Sequence, residues 1–162
     1  RRAVLRRAPS CRRMQRLQAS SRPPGPDCLA MTHAHHRLEF AGPDALGTCF
    51  AEHGATFREC VFNSASLECG TLDGVFVDCH FRDIEWYWGL FNGALFAGCV
   101  FERCVFRGTS FQSCRFVECL FADCQFLPDN LDTPCSATRV RWYACRNQGS
   151  VGWASVSPPG QR

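Results

Sequence analysis

Aromatic residues recur every five positions through the middle of this chain. Phe76, Phe81, Trp86, Phe91, Phe96, Phe101, Phe106, Phe111, Phe116, Phe121 and Phe126 form an unbroken series in a sequence that is 12% aromatic overall. Two residues before each aromatic stands a second series: Gly74, Cys79, Ile84, Gly89, Ala94, Cys99, Cys104, Thr109, Cys114, Cys119 and Cys124. Apart from Ile84 these are small. A period of five fits neither a helix, with about 3.6 residues per turn, nor a flat strand, with a repeat of about 2. On a helix the aromatics would spiral round every side and could not share one core. A chain that turns a corner every five residues meets the constraint, with one large and one small residue pointing inward on each straight side.

The motif small-x-aromatic-x-x, as in Cys99-Val100-Phe101-Glu102-Arg103, resembles the pentapeptide-repeat family. That resemblance implies an all-β fold: a right-handed quadrilateral parallel β-helix, four units to a coil, with N- and C-terminal caps. The strict match runs from Gly74 to Phe126. A looser one reaches back through Cys60-Val61-Phe62, Ala65-Ser66-Leu67 and Gly70-Thr71-Leu72 to Phe57. Phe40, Leu46 and Phe50 continue the series with uneven steps, and the slips at 72–76 and 50–57 read as a bulge or small loop. Cys often replaces the family's Ala, and Leu is absent from the centre of the strict units. The expected organisation is a tail at 1–30, an N-terminal cap with irregular repeats at 31–56, the solenoid at 57–126 and a C-terminal cap at 127–162.

Stacked coils lie about 4.8 Å apart, so residues 20 apart should form columns such as Phe81/Phe101/Phe121 and Phe76/Phe96/Phe116. The expected core is the aromatic series together with Cys79, Cys99, Cys104, Cys114, Cys119 and Cys124. Truncating a central ring such as Phe101 to Ala should cost roughly 3–5 kcal/mol.

The net charge of +3 hides an asymmetry. Residues 1–30 hold eight Arg against one acid, while residues 31–162 hold ten Arg and 14 acids. The basic charge therefore belongs to the N-terminal segment. That segment reads as translated sequence upstream of a start at Met31, as an Arg-rich organellar presequence or as an arm that binds nucleic acid, in that order of preference. No apolar run reaches the roughly 18 residues of a membrane helix, and no membrane partner is expected.

Thirteen cysteines invite a metal or disulfide reading. Zinc modules space ligand pairs two to four residues apart; here the Cys-x4-Cys spacing is inherited from the repeat. Buried reduced thiols acting as small apolar groups account for them, which points to a reducing, cytoplasmic setting and to no metal or other cofactor. Cys11, Cys28, Cys135 and Cys145 lie outside the strict repeat. His33, His35 and His36 read as a solvated start, and His80 as a surface residue. Neither a phosphate loop, nor a nucleophile elbow, nor an H-E-x-x-H motif is present, so catalytic residues and a small-molecule substrate are not expected.

The register turns the repeat into a surface map. Val75, Val77, Leu95, Ala97 and Val117 should point outward on one face, with Val100 and Leu120 extending the patch round the next side. Tyr87 and Trp88 should point outward at a corner. A contiguous apolar patch usually covers or binds something: here the C-terminal segment with Val140, Trp142, Tyr143 and Trp153 folds back over it, or a partner does. The sequence therefore points to a non-enzymatic interaction module that binds another protein or itself. The alternative comes from the resemblance, whose Qnr-type members are acidic DNA mimics that bind type II topoisomerases such as DNA gyrase. Residues 57–126 carry nine acids and five Arg with the signs interspersed. Direct nucleic-acid binding is not expected, because the body lacks a basic stripe.

Overall fold

The computed structural model describes residues 33–157. The readings of the N-terminal tail, with Cys11 and Cys28, fall outside the described residues.

Each side of a coil is a three-residue strand with the large residue at its centre, such as Val100–Glu102 around Phe101 or Val105–Arg107 around Phe106. A two-residue corner follows. Its first residue has positive φ, at Glu59, Ser64, Cys69, Asp78, Asp83, Trp88, Arg103, Ser113, Glu118 and Asp123, with Gly at 93, 98 and 108. Its second is the small inward residue. The five-residue period is thus a backbone period: three extended residues, one left-handed residue, one small residue. L-residues enter the left-handed region at a cost. The coil-to-coil ladder offsets it, as in Arg103 N–H donating to Ala122 O at 2.9 Å and Val100 N–H to Cys79 O at 2.9 Å.

All pairings between strands are parallel. One side is a six-stranded sheet in which Ala34–His36, Thr56–Arg58, Val75–Val77, Leu95–Ala97, Arg115–Val117 and Arg141–Tyr143 pair in that order. The longer strands Val61–Glu68 and His80–Tyr87 run round a corner and join two further sides. The fourth side pairs Thr71–Leu72, Leu90–Asn92, Ser110–Gln112 and Ser136–Thr138. The result is a four-sided parallel β-solenoid.

Between Val75 and Phe126 the register steps by 20, as in Phe101↔Phe121 and Phe96↔Phe116. Below that it steps by 19, as in Phe57↔Phe76 and Phe62↔Phe81, and at the first pairings by 22, as in His35↔Phe57 and Phe40↔Phe62. Gly74 absorbs the missing residue at φ 109°, and a Cβ there would strike the backbone of Ala55. Above Phe126 it steps by 26, as in Phe116↔Trp142 and Phe121↔Asn147. The coil pattern therefore resumes beyond 126 after an extra loop, and three more strands belong to the solenoid.

Ring stacking follows the register. Phe81, Phe101 and Phe121 lie 4.6 and 4.7 Å apart with planes 6° and 3° from parallel. Trp86 stacks on Phe106 at 5.1 Å and Phe106 on Phe126 at 4.8 Å. Neighbouring columns meet edge to face, as Phe96 and Phe101 do at 65°, so each ring has both favourable aromatic geometries at once.

The ends of the solenoid depart from the period. Phe40 stands in a column on Phe62, at 5.3 Å and 9°. Leu46 and Phe50 do not continue the five-residue series, because Pro43–Phe50 is an α-helix with Pro in its first turn. Leu46, Cys49 and Phe50 sit three and four apart, which is a helical stripe, and all three are buried against the first coils. At the other end Trp153 and Val156 are buried on a short 3-10 turn, with Trp153 packed on Phe121, Phe126 and Trp142.

Candidate interaction surface

The outward positions flanking the central aromatics form columns of their own. On the six-stranded side, Val77, Ala97, Val117 and Tyr143 are in register, and Val75 lies beside Leu95. Val75, Val77, Leu95, Ala97 and Val117 are each half-buried, while Tyr143 is exposed. Packing along the column shields their sides and leaves their tips in solvent. Round the corner, Val100 pairs with Leu120, both half-buried. The two groups are joined by the stretch Leu95 to Val100, which carries no charge. Gly98 occupies its corner at φ 63°, and a Cβ there would collide with the Asp78 carboxylate. Asp78 and Glu118 take the equivalent corners one coil below and above, so the apolar strip crosses at one coil only.

Among the described residues, the C-terminal segment does not fold back over this face. Trp142 turns inward and stacks on Phe116 at 4.3 Å, Trp153 closes the end of the core, and Tyr143 lengthens the strip by one coil. The alternation in Arg141-Trp142-Tyr143 is the x-aromatic-x of the repeat. Cys135, Val140, Cys145 and Ser150 keep the five-residue spacing of the small position. That spacing is the signal by which the last coil can be found, once six inserted residues are allowed for.

Tyr87 and Trp88 meet a different fate. Trp88 occupies a left-handed corner at φ 54°, a conformation a bulky residue rarely takes. Its Nε1 donates to Asp129 Oδ2 at 2.7 Å, and its ring lies 4.6 Å from that of Tyr87. Tyr87 Oη accepts from Asn130 N–H at 3.4 Å. The inserted loop therefore lies over this corner, and both aromatics are half-buried beneath it. Asp129 organises the loop by accepting from the backbone N–H groups of Leu131 and Thr133 at 2.8 Å each.

The histidines are more engaged than a solvated start would allow. His35 stacks on Phe57 at 4.8 Å and 12°, and its Nε2 lies 2.8 Å from Glu52 Oε2. The reason is that Ala34–His36 is the first strand of a side, which makes His35 the central residue of its unit. His80 Nε2 lies 3.0 Å from Glu102 Oε2, and Arg82 Nε donates to the same oxygen at 3.1 Å. Arg103 holds Asp83 through two bonds, at 2.8 and 2.9 Å, and also pairs with Glu102. Arg107 lies 3.5 Å from Glu85. Three of the nine acids in residues 57–126, Asp83, Glu85 and Glu102, are thus answered by Arg one coil away.

Where the small inward residue is Cys, Thr or Ser, it is also a donor. Cys99 Sγ lies 3.4 Å from Phe76 O, Cys104 Sγ 3.4 Å from Phe81 O and Cys124 Sγ 3.3 Å from Phe101 O. Thr109 Oγ1 donates to Trp86 O at 3.1 Å and Ser150 Oγ to Phe121 O at 3.1 Å. A short side chain with one proton reaches the carbonyl of the coil beneath, which sequence reasoning on size alone misses. The cysteines of the described residues are all free thiols. Burial pushes the Cys114 thiol up to about 11; burial, aided by Glu52, pushes Cys49 up to about 12. Among the described residues no group of three or more His, Cys, Asp or Glu side chains is arranged to hold a metal ion, and no helix is long and apolar enough to cross a membrane.

This geometry defines a class: a four-sided parallel β-solenoid with an aromatic and a small residue, often a hydrogen-bond donor, at its repeating inward positions. Residues 91–131 match the family model for pentapeptide repeats (9 copies). Among solved structures the fold is similar to QnrB1, a plasmid-mediated fluoroquinolone resistance protein, in a trypsin-treated form. The TM-score is 0.51 at 15% identity, over 72% of this chain and 68% of that one. No curated protein sequence matches the chain. Residues 91–131 thus carry pentapeptide repeats, and the described chain around them has the parallel β-solenoid fold.

Proposed function

We propose that this protein is a non-enzymatic binding module that engages another protein, or a second copy of itself, through the apolar strip. The observation that carries this reading is the uncharged crossing at Leu95, Ala97, Gly98 and Val100. It links Val75, Val77 and Val117 on one side to Leu120 on the next. Monomers rarely leave such a strip open without use, and the C-terminal segment that could have covered it is spent on the core. Tyr87 and Trp88 serve the fold here, as the seat of the inserted loop.

Size-exclusion chromatography with light scattering, on the parent and on Val117→Glu, tests the reading. A charge at the centre of the strip should dissociate a dimer, or abolish capture of a partner, without altering the thermal melt. A parent that is monomeric and retains every partner after the change would overturn it.

A second reading is modulation of a type II topoisomerase, favoured by the likeness of the fold to QnrB1 and by the excess of acids over Arg in residues 57–126. The pairing of Asp83, Glu85 and Glu102 with Arg weighs against a free acidic face. A gyrase supercoiling assay with and without a fluoroquinolone decides it; neither inhibition nor protection at micromolar protein rejects it.

A further inference from the structure

One corner of the solenoid holds a cysteine in five successive coils. Cys60, Cys79, Cys99, Cys119 and Cys145 each directly precede a strand of the second side, whose first residues pair as Val61↔His80, His80↔Val100, Val100↔Leu120 and Leu120↔Arg146. The five thiols therefore form a single file along the axis. All are free, the first four are buried, and Cys145 in the last coil is half-buried. The register sets each sulfur one coil from the next, Cys79 below Cys99, Cys99 below Cys119 and Cys119 below Cys145. Their S–H groups face backbone carbonyls, as Cys119 Sγ does Phe96 O at 3.5 Å and Cys145 Sγ does Phe116 O at 3.4 Å. The other columns interrupt their thiols. Cys114 stands between Ala94 and Val140, and the pair Cys104 and Cys124 between Ile84 and Ser150.

The spacing selects what such a file can hold. Adjacent strands lie about 4.7–4.9 Å apart, whereas an unstrained disulfide brings its Cβ atoms to about 3.8 Å. Oxidation would have to pinch the coils together. A closed tetrahedral zinc site needs four donors round one point, and a file presents two. A d10 ion bound in a straight line between two sulfurs is different. Two metal–sulfur bonds of about 2.3 Å each, the length seen for Zn–S, span about 4.6 Å, close to one coil rise. Soft thiolate donors select ions of the Cu(I) type.

We propose that this thiol file binds a soft monovalent d10 cation of the Cu(I) and Ag(I) class, in line between successive sulfurs, first between Cys119 and Cys145. The ion takes the place of one thiol proton of the pair. One S–H bond breaks, its proton leaves to solvent, and two sulfur–metal bonds form, one to a thiolate and one to a neutral thiol. No atom changes oxidation state. The charge of the buried pair is zero before and after, so the exchange avoids the large cost of an uncompensated charge in an apolar core. Cys145 is the thiol that solvent reaches, and the column beneath it offers further sites of the same geometry.

The test is competition for Cu(I) between the reduced full-length protein and a chromogenic Cu(I) chelator under anaerobic conditions. X-ray absorption reads the ligand atoms of the bound ion. The parent should withdraw copper from the chelator with a two-sulfur first shell. Cys119→Ser combined with Cys145→Ser should weaken binding by at least ~100-fold, since even outer partners of a metal site are worth about 10–100-fold. Cys114→Ser, outside the file, should bind as the parent does. If the double variant loses its β-sheet circular dichroism, Cys145→Ser alone, in the half-buried last coil, must still weaken binding. Failure of the parent to compete, nitrogen ligands in the first shell, or equal binding by the file variants and the parent would each overturn the proposal.

Discussion

Trp142 lies flat on Phe116, with ring centroids 4.3 Å apart and planes 9° from parallel, although the chain takes 26 residues instead of 20 to return there. The inserted loop is looped out at one corner so that the aromatic column gains one more member. Trp142 also meets Phe121 and Trp153 edge on, at 67° and 69°, which makes it the keystone of the C-terminal end. Replacing it with Ala should cost about 3 kcal/mol, the lower end of the range for buried aromatics, because an end residue can relax. In a solenoid each coil leans only on its neighbours. Hydrogen exchange should therefore show lost protection in residues 136–157 while the coils around Phe81 and Phe101 keep theirs.

Thr109 is the one buried polar residue among the described residues, and its hydroxyl donates to Trp86 O at 3.1 Å. Thr109→Val keeps the shape and leaves that carbonyl without its donor, at an expected cost of about 1–3 kcal/mol. Thr109→Cys restores the donor found elsewhere in the repeat and should stay within about 1 kcal/mol of the parent. Urea midpoints of the three proteins check the order; a Val variant as stable as the Cys variant would show that size alone matters at this position.

The loop after Leu127 is held by the bond from Trp88 Nε1 to Asp129. Asp129→Ala removes that acceptor together with the two backbone contacts to Leu131 and Thr133. Limited proteolysis should then cut within residues 128–134 well before the parent is cut, and Trp fluorescence should shift to longer wavelength as Trp88 meets water. The coils themselves should remain resistant.

Asp83 gains a partner on folding. The bonds from Arg103 hold its carboxyl below the ordinary carboxylate range. A folded pKa lower than the unfolded one contributes stability that is fully present above the unfolded value, near 3.9, and is lost as pH falls through the folded value. Asp83→Asn should therefore be less stable than the parent at neutral pH and converge with it in acid. The side chain is 43% exposed, so solvent screening keeps the gap under about 1 kcal/mol. Thermal melts of both proteins from neutral to acid pH test the sign: a gap that widens in acid would contradict it.

The repeat made most of the fold legible because its signal is local and redundant. Phe101 and Phe121 can be paired on paper, since nothing but a fixed count of residues separates them. Where the count changed, legibility failed. Leu46 and Phe50 lie four apart, close enough to five to be taken for an irregular repeat, yet with Pro43 ahead of them they form a helix. His35 was unreadable as a member of the Phe57 column because its unit lacks the aromatic that marks the others. The strip from Val75 to Leu120 was legible as a pattern of outward apolar residues. Its freedom from the C-terminal segment was not.

By itself, then, the sequence determined the solenoid: a five-residue alternation of large and small residues admits no other way to bury both sets. Only the tertiary structure decided what happens where the alternation stops. The places taken by Trp142, the loop over Trp88 and the single file of thiols from Cys60 to Cys145 depend on how many residues the chain spends between coils. They depend equally on which groups one coil presents to the next. These are long-range relations between stacked coils, and no window along the chain contains both partners.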